Sequence, residues 1–268
     1  MRVALRIAYD GSEYAGWQEQ QSSLTVAGTI RSCLEEFAPL STGWTAAGRT
    51  DRGVHAVGQV AAVTVPSWTH GAQQLGDALN ARLPAAIRIT GVQEVPLAFH
   101  ARFDAGARTY RYVLLEGLLP VPTLRTAYWS LPSRIDHDVL DALACAVRGT
   151  HDFAAFGTPP NGSNTVRTVT QSAWSWEDRE VGGERIRAGI YEVTAEAFLR
   201  GMVRHIVGGM AYAAQHPAEA DAIANMVVSP EGGRRVPWSA PPHGLYLWNV
   251  TYPNMEFRWN EGMGSHNE

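Results

Sequence analysis

Not one lysine occurs in this 268-residue chain, and all 22 of its basic residues are arginine. Genome composition is a sufficient account of that absence, but it has a physical consequence. Arginine offers a planar fork that grips phosphate in bidentate fashion and stacks on bases, which lysine does not. Cysteine is nearly absent as well. Cys33 and Cys145 stand apart, with no Cys-x-x-Cys pair and no Cys/His cluster, which excludes a disulfide framework and a cysteine-based metal site. Cys33 falls on the apolar stripe of an expected helix and reads as a reduced core thiol. No apolar run approaches the length of a membrane span, and Met1–Arg6 has no signal-peptide core, so a cytoplasmic location is expected. The sequons at Asn161 and Asn249 then carry no meaning. An excess of positive charge is also missing. The formal net charge is −4, so the generic mark of a nucleic-acid-binding domain is absent. The arginines nevertheless cluster, as Arg49 with Arg52, Arg102 with Arg108 and Arg111, Arg200 with Arg204, and Arg234 with Arg235. That pattern suits a locally basic cleft on an acidic protein.

What is present describes a globular chain. Hydrophobic residues make up 45% and there are nine tryptophans, enough for a sizeable core in one large domain or two small ones. Val3–Tyr9 alternates as a strand. Thr25 is an expected N-cap, and Val26, Ile30, Cys33, Leu34 and Phe37 recur at helical spacing. Val57–Val65 and Ile87–Val95 read as strands around a helix near 71–83, stopped before Pro84. The second half begins with a strand at Thr109–Leu115 and a helix at Asp136–Val147. Two long strands, Val166–Trp176 and Ile186–Phe198, follow with a turn at 178–183 between them. Phe198, Leu199, Met202, Val203, Ile206, Val207 and Met210 form an apolar helical face, and Leu245–Tyr252 closes with a strand. The order strand, helix, strand, strand, helix, strand is that of a split βαβ unit; the second half supplies all six elements, and the first reads as the same unit with the Asp51 loop ahead of its one strand between the helices. The stretch 157–165, with Pro159-Pro160-Asn161-Gly162, reads as a mobile loop, and residues 253–268 as a loose tail.

The most informative segment is Ala47-Gly48-Arg49-Thr50-Asp51-Arg52-Gly53-Val54-His55-Ala56. It sets a carboxylate between two arginines in a turn bracketed by glycines that tolerate unusual backbone angles. The apolar run that follows places the turn on a rigid strand, where functional residues are often carried. Nearby positive charge favours the ionised carboxylate. By spacing alone Asp51 is a nucleophile, a general base or an ion-pair partner.

This segment resembles the catalytic loop of the tRNA pseudouridine synthase A family, Gly-Arg-Thr-Asp-x-Gly-Val-His. Further family-like stretches follow the same order along the chain. They are Tyr9-Asp10-Gly11 to Gly16-Trp17-Gln18, Phe99-His100-Ala101-Arg102-Phe103, Arg108-Thr109-Tyr110-Arg111-Tyr112 and His151-Asp152-Phe153. Phe198-Leu199 with Met202-Val203-Arg204 and Ile206-Val207-Gly208 comes next, then Ala240-Pro241-Pro242 with Gly244-Leu245-Tyr246-Leu247. The resemblance implies an α+β fold in which two ferredoxin-like halves share a central antiparallel sheet with helices on one side. It divides the chain into 1–105 and 106–252, the first carrying the aspartate loop and the second the pocket.

The resemblance also implies an activity. Pseudouridine formation breaks a C–N glycosidic bond, rotates the uracil and rejoins it through carbon, an isomerisation needing no redox step, metal or cofactor. By resemblance Asp51 is the nucleophile and Arg204 its pairing arginine. Arg49 helps displace the target base, Tyr110 stacks on the uracil and Leu245 packs against it, while Arg52 and Arg111 contribute to binding. The implied substrate is the anticodon stem-loop of tRNA, at positions 38 to 40, and the implied assembly is a homodimer. The chain departs from common family forms at Arg52, where small residues are frequent, and at Ala27-Gly28, where a glutamine is usual. Two other readings are a catalytically silent RNA-binding protein on the same scaffold and a two-carboxylate glycoside hydrolase, which would draw on Asp10 or Asp152 beside Asp51. Asp10-Gly11 reads as an ordinary turn, Asp152 as the cap of a chain reversal, Tyr112 as sharing the Tyr110 face, and His55 and His151 as structural or surface histidines.

Overall fold

The structure is a computed structural model that describes residues 1–39, 44–117, 121–159, 162–181, 184–228 and 235–259. Arg234, part of the expected loop at 157–165 and part of the turn at 178–183 lie outside the described residues, as does 260–268 of the expected tail. The chain forms two compact units, one comprising Met1–Gly106 with the chain from Asn249 onward, the other Ala107–Trp248.

The first unit contains β1 (Arg2–Tyr9), α1 (Val26–Glu35), β2 (Thr45–Ala46), β3 (His55–Thr64), α2 (Ala72–Asn80) and β4 (Ile87–Glu94). Its strands lie in the order β4-β1-β3-β2 with every neighbouring pair antiparallel. Thr25 caps α1, accepting the Gly28 amide at 3.2 Å, so the helix starts where the sequence places it. Val26, Ala27, Ile30 and Leu34 are its buried residues. Cys33, expected in the core, is instead half-buried, its Sγ 3.9 Å from the Arg82 carbonyl, because the buried stripe runs through Ile30 and Leu34 and turns Cys33 to the rim. The α2 helix presses Gly76 onto Val92 of β4; a Cβ there would lie 2.7 Å from Val92 Cγ2. Residues 253–259 do not behave as the loose tail expected of them. Phe257 and Trp259 stack with centroids 4.3 Å apart, Trp259 covers Gly91 of β4, and Gln93 hydrogen-bonds the backbone of Glu256 and Arg258. Partial burial of these two aromatic rings, with the two Gln93 hydrogen bonds, holds the segment against the sheet.

The second unit holds β5 (Ala107–Glu116), β6 (Trp129–Leu131), α3 (His137–Val147), β7 (Gly149–Asp152), β8 (Val166–Val181), β9 (Glu184–Ala195), α4 (Met202–Gln215), α5 (Ala220–Val228) and β10 (Leu245–Thr251), the last three residues of which belong to the first unit. Its strand order is β10-β5-β9-β8-β7, with β6 parallel to the far end of β5. Asp136 caps α3 through the Val139 amide. The expected turn at 178–183 is displaced, since β8 stays paired through Asp178↔Arg187 to Val181↔Glu184. The α4 helix begins four residues later than its apolar face suggests. Arg200 pairs with Thr158 as an isolated bridge, and Gly201, at φ +75°, makes the break from extended chain into helix, a conformation that glycine alone adopts at little cost. Short elements β2, β6, β7 and α5 had no clear periodic signal. Tyr112, Tyr191, Phe153 and Phe156 are the largest fully buried side chains of this unit.

Candidate active site

The Asp51 loop joins β2 to β3 and is braced from three directions. Gln59, on β3 and fully buried, donates Nε2 to Gly48 O at 2.8 Å and accepts the Gly48 amide at 3.4 Å. Thr50 is buried; its hydroxyl meets Tyr9 Oη at 2.8 Å and its carbonyl accepts the Trp17 amide at 3.1 Å. The Val54 amide closes the turn on Asp51 O at 3.1 Å, and Gly53 adopts φ +76° to allow it. Two further glycines are required by close approach. A Cβ on Gly11 would sit 2.0 Å from Val54 O, and one on Gly16, itself at φ +102°, 2.6 Å from Thr50 O. The segment Tyr9–Trp17 is therefore a cradle moulded against the loop. Asp51 emerges half-buried from it, with Arg49 and Arg52 exposed on either side.

His55, at the start of β3, is buried and accepts the Gly11 amide on Nδ1 at 3.1 Å. Asp10 Oδ1 lies 3.2 Å from the same nitrogen, but the amide hydrogen is fixed in place, so Nδ1 is the acceptor and the contact is not an ion pair in that tautomer. Burial alone would raise the Asp10 carboxyl; hydrogen bonds from the Ser12 amide and hydroxyl outweigh it and hold the group below its ordinary value. Asp10 is thus a turn-former, and Asp152 likewise accepts the Ala154 amide at 2.9 Å. His55 and Gln59 are tied to loop geometry rather than to a metal, and no cluster of metal-ligating side chains occurs among the described residues.

In the second unit α4 and the segment before β10 are locked together. Arg204 donates Nε to Ala240 O at 2.8 Å, and the Ala240 amide returns to Arg204 O at 2.9 Å. Gly208, one turn on, admits the 238–240 backbone; a Cβ there would meet Trp238 O at 2.7 Å. Arg204 stays half-buried, off the stripe of Met202, Val203, Ile206 and Val207. Tyr112 donates to Pro241 O at 2.9 Å, and its hydroxyl end packs so close to Gly244 that a Cβ there would lie 2.6 Å from Cζ. Burial pushes its phenol well above the ordinary range, with the Arg204 charge pulling slightly the other way, so it remains a neutral donor. Leu245 follows as a buried residue at the start of β10. Tyr110 occupies the same face of β5 as Tyr112 and meets Phe198 edge-on at 5.0 Å. The second unit thus carries Tyr110 on β5, Arg204 on α4 and Leu245 at the start of β10, with Tyr112 bonded to the segment that leads from Arg204's partner Ala240 to Leu245.

Arg111 sits differently. Strand alternation turns it to the opposite face of β5 from Tyr110, where its Nε pairs with Glu192 at 2.6 Å and its guanidinium lies over Trp248 at 4.0 Å. Those partners account for its position without RNA.

Sequence reasoning missed the bracing residues. Gln59 was the visible signal, a polar side chain inside an apolar strand run, and Tyr9 and Trp17 lay in a stretch with no role attached. We expect Gln59→Leu to cost about 2–3 kcal/mol, because it strips hydrogen bonds from two backbone groups of Gly48 in a half-buried setting. A thermal or urea unfolding series against the parent protein measures this directly, and an unchanged midpoint would show that the bracket contributes nothing.

The chain belongs to the tRNA pseudouridine synthase family, whose sequence model matches residues 6–104 and 143–253. Among similar proteins, tRNA pseudouridine synthase A of Roseiflexus sp. (strain RS-1) is 37% identical over 251 residues, covering 94% of this chain and 90% of the relative. The protein of the same name from Chloroflexus aurantiacus (strain ATCC 29366 / DSM 635 / J-10-fl) is 38% identical over 263 residues, 97% of this chain and 91% of that one. Its counterpart from Acetivibrio thermocellus (strain ATCC 27405 / DSM 1237 / JCM 9322 / NBRC 103400 / NCIMB 10682 / NRRL B-4536 / VPI 7372) is 36% identical across 99% of its own length.

Proposed function

We propose that this protein isomerises uridine to pseudouridine in tRNA, at positions 38 to 40 of the anticodon stem-loop, with Asp51 as nucleophile and without a cofactor. The observation that carries the proposal is the construction of the Asp51 loop. Three glycines, a buried Gln59 and a buried Thr50 hold one half-buried carboxylate between two exposed arginines. Near-full-length similarity to proteins named tRNA pseudouridine synthase A supports the same reading. The strand orders β4-β1-β3-β2 and β10-β5-β9-β8 support viewing each unit as a split βαβ half.

In this mechanism the reaction breaks the uridine N1–C1′ and C5–H bonds and forms C5–C1′ and N1–H on the same nucleotide, the C5 proton being released and N1 taking one up, so atoms and electrons balance without a co-reactant. Asp51 attacks while ionised. By the family resemblance Arg204, whose Nε is bonded to Ala240 O, is the arginine assigned to pair with that charge. Tyr110 offers a ring edge or face to the freed uracil and Leu245 an apolar wall, and Arg49 enters the RNA as the base leaves its stack. Arg52 contacts phosphate. Arg111, already paired with Glu192, serves chiefly as a support for the sheet face. The working form is a cytoplasmic homodimer binding one tRNA across both subunits.

Carbodiimide mapping of pseudouridine in unmodified tRNA, before and after incubation with the protein, tests the assignment; an unchanged map at 38 to 40 overturns it. Binding should also weaken steeply with salt. Arg52→Gln should lower the slope of log affinity against log salt by slightly less than one unit. Arg49→Ala should reduce single-turnover rate more than affinity, since unstacking a base costs a few kcal/mol at that step. Titration of each variant across a salt series, with rates at saturating enzyme, separates the two arginines.

A further inference from the structure

The turn from Phe99 to Asp104 holds an aromatic ring in solvent. Phe99 is buried against Tyr252 and Phe257, with centroids at 5.3 and 5.8 Å. Ala101 is fully buried; its amide donates to Thr45 Oγ1 at 3.2 Å and its carbonyl accepts Tyr252 Oη at 2.7 Å. From that anchor the chain folds back on itself. The His100 amide donates to Asp104 Oδ2 at 2.9 Å, the Asp104 amide returns to His100 O at 3.1 Å, and His100 Nδ1 accepts the amides of both Arg102 and Phe103 at 3.2 Å. Every backbone N–H from His100 to Asp104 is thereby satisfied, and Thr45 ties the turn to β2, the strand that leads into the Asp51 loop.

A turn bonded so completely cannot rearrange to bury its apolar side chain, and Phe103 is 74% exposed. It is the one exposed aromatic residue among the described residues. Its ring is not loose: it stacks on the His100 imidazole with centroids 4.3 Å apart and planes at 29°, and the Arg102 guanidinium carbon lies 5.6 Å from its centroid. A lone exposed phenylalanine is not by itself a site; what sets this one apart is a ring held flat on an imidazole, with a guanidinium beside it, on a fully bonded turn. The chemistry is that of single-stranded RNA recognition, in which unstacked bases lie on aromatic rings and guanidinium planes while a cation meets the phosphate. A protein partner would favour a broader apolar patch. The chain neighbours of Phe103 are instead the exposed, charged Arg102 and Asp104, and the exposed Leu97 lies on the other side of the buried Phe99 anchor along the chain.

We propose that Phe103, supported by His100 and Arg102, is a stacking platform for an unpaired base of the RNA substrate, separate from the pocket that takes the target uridine. The proposal rests on the tRNA reading above. Its test is the affinity of the full-length protein for unmodified tRNA, with single-turnover rates at saturating enzyme and sedimentation of each variant. Phe103→Ala should weaken binding by about 5- to 150-fold, the range one base–aromatic stack supports. The saturated rate and the sedimentation coefficient should stay unchanged. Phe103→Trp should bind like the parent or tighter, whereas Phe103→Leu, apolar but not flat, should bind like the alanine variant. Parental affinity in Phe103→Ala, or full rescue by leucine, overturns the platform while leaving the tRNA assignment intact. A shift of Phe103→Ala to a smaller sedimenting species assigns the ring to contact with a second copy and likewise overturns it. A parent protein that neither binds nor modifies tRNA brings down both readings.

Discussion

Asp51→Asn should form no pseudouridine in unmodified tRNA above the level of a mock preparation, while remaining folded and binding tRNA within about threefold of the parent. The amide keeps the size and shape of the carboxylate but can neither attack carbon nor carry its charge. Bonds that do not need a carboxylate should persist in the variant and keep the loop in place: Thr50 to Tyr9 and Trp17, Gln59 to Gly48, and the Asp51 carbonyl to Val54. Affinity should persist because phosphate contacts made by arginine supply much of nucleic-acid binding. Thermal unfolding, tRNA titration and pseudouridine mapping on one preparation check the three parts together. Turnover above the contamination level would remove Asp51 from the chemistry. Loss of fold would instead mean that its side chain braces the loop.

Arg204→Lys should reduce turnover on the order of 10²–10³-fold, the loss seen when one preorganised donor is removed from a charged site. The substitution keeps the positive charge, so a purely electrostatic role predicts little change. Geometry predicts a large one. Lysine has no Nε–H to donate to Ala240 O, so the 2.8 Å bond that fixes the guanidinium plane disappears, and a single ammonium replaces a two-pronged fork. Unfolding stability should fall by about 1 kcal/mol, the usual worth of one hydrogen bond, because Gly208 still seats the 238–240 backbone against α4. The rate and the unfolding midpoint, read together, separate positioning from folding. Near-parental turnover would show that the fork is not needed, and a collapse of stability would show that Arg204 is chiefly a strut.

The elements with strong periodicity were legible before any coordinates. Thr25 caps α1 and Asp136 caps α3 where expected, since a cap depends only on a side chain and an amide two or three residues on. The Asp51 loop was legible for the same reason: its glycines, its arginines and the strand behind it lie within one short stretch of chain. Tyr112 was legible as a face-mate of Tyr110, because alternation along a strand is a property of the strand alone. What could not be read is whatever depends on partners distant in sequence. Nothing local tells that Gln59 reaches back to Gly48, that Gly11 must clear Val54, or that Gly208 must admit residues 238–240. The Phe198 face looked helical, yet pairing of Arg200 with Thr158 holds that stretch extended until Gly201. Cys33 left the core, and residues 253–259 docked on Phe99, Gly91 and Gln93, each decided by neighbours that the sequence keeps far away.

By itself, then, the sequence determined the order of the main elements, the lysine-free basic clusters and the loop that carries the carboxylate. Tertiary structure alone decided which of those side chains are held rigid. It tied Arg111 to Glu192 and Trp248, set the plane of Arg204 on Ala240, and left Phe103 in water on a fully bonded turn. Hydrogen bonds and burial are satisfied wherever the folded chain brings complementary groups together, and separation along the chain does not enter that condition.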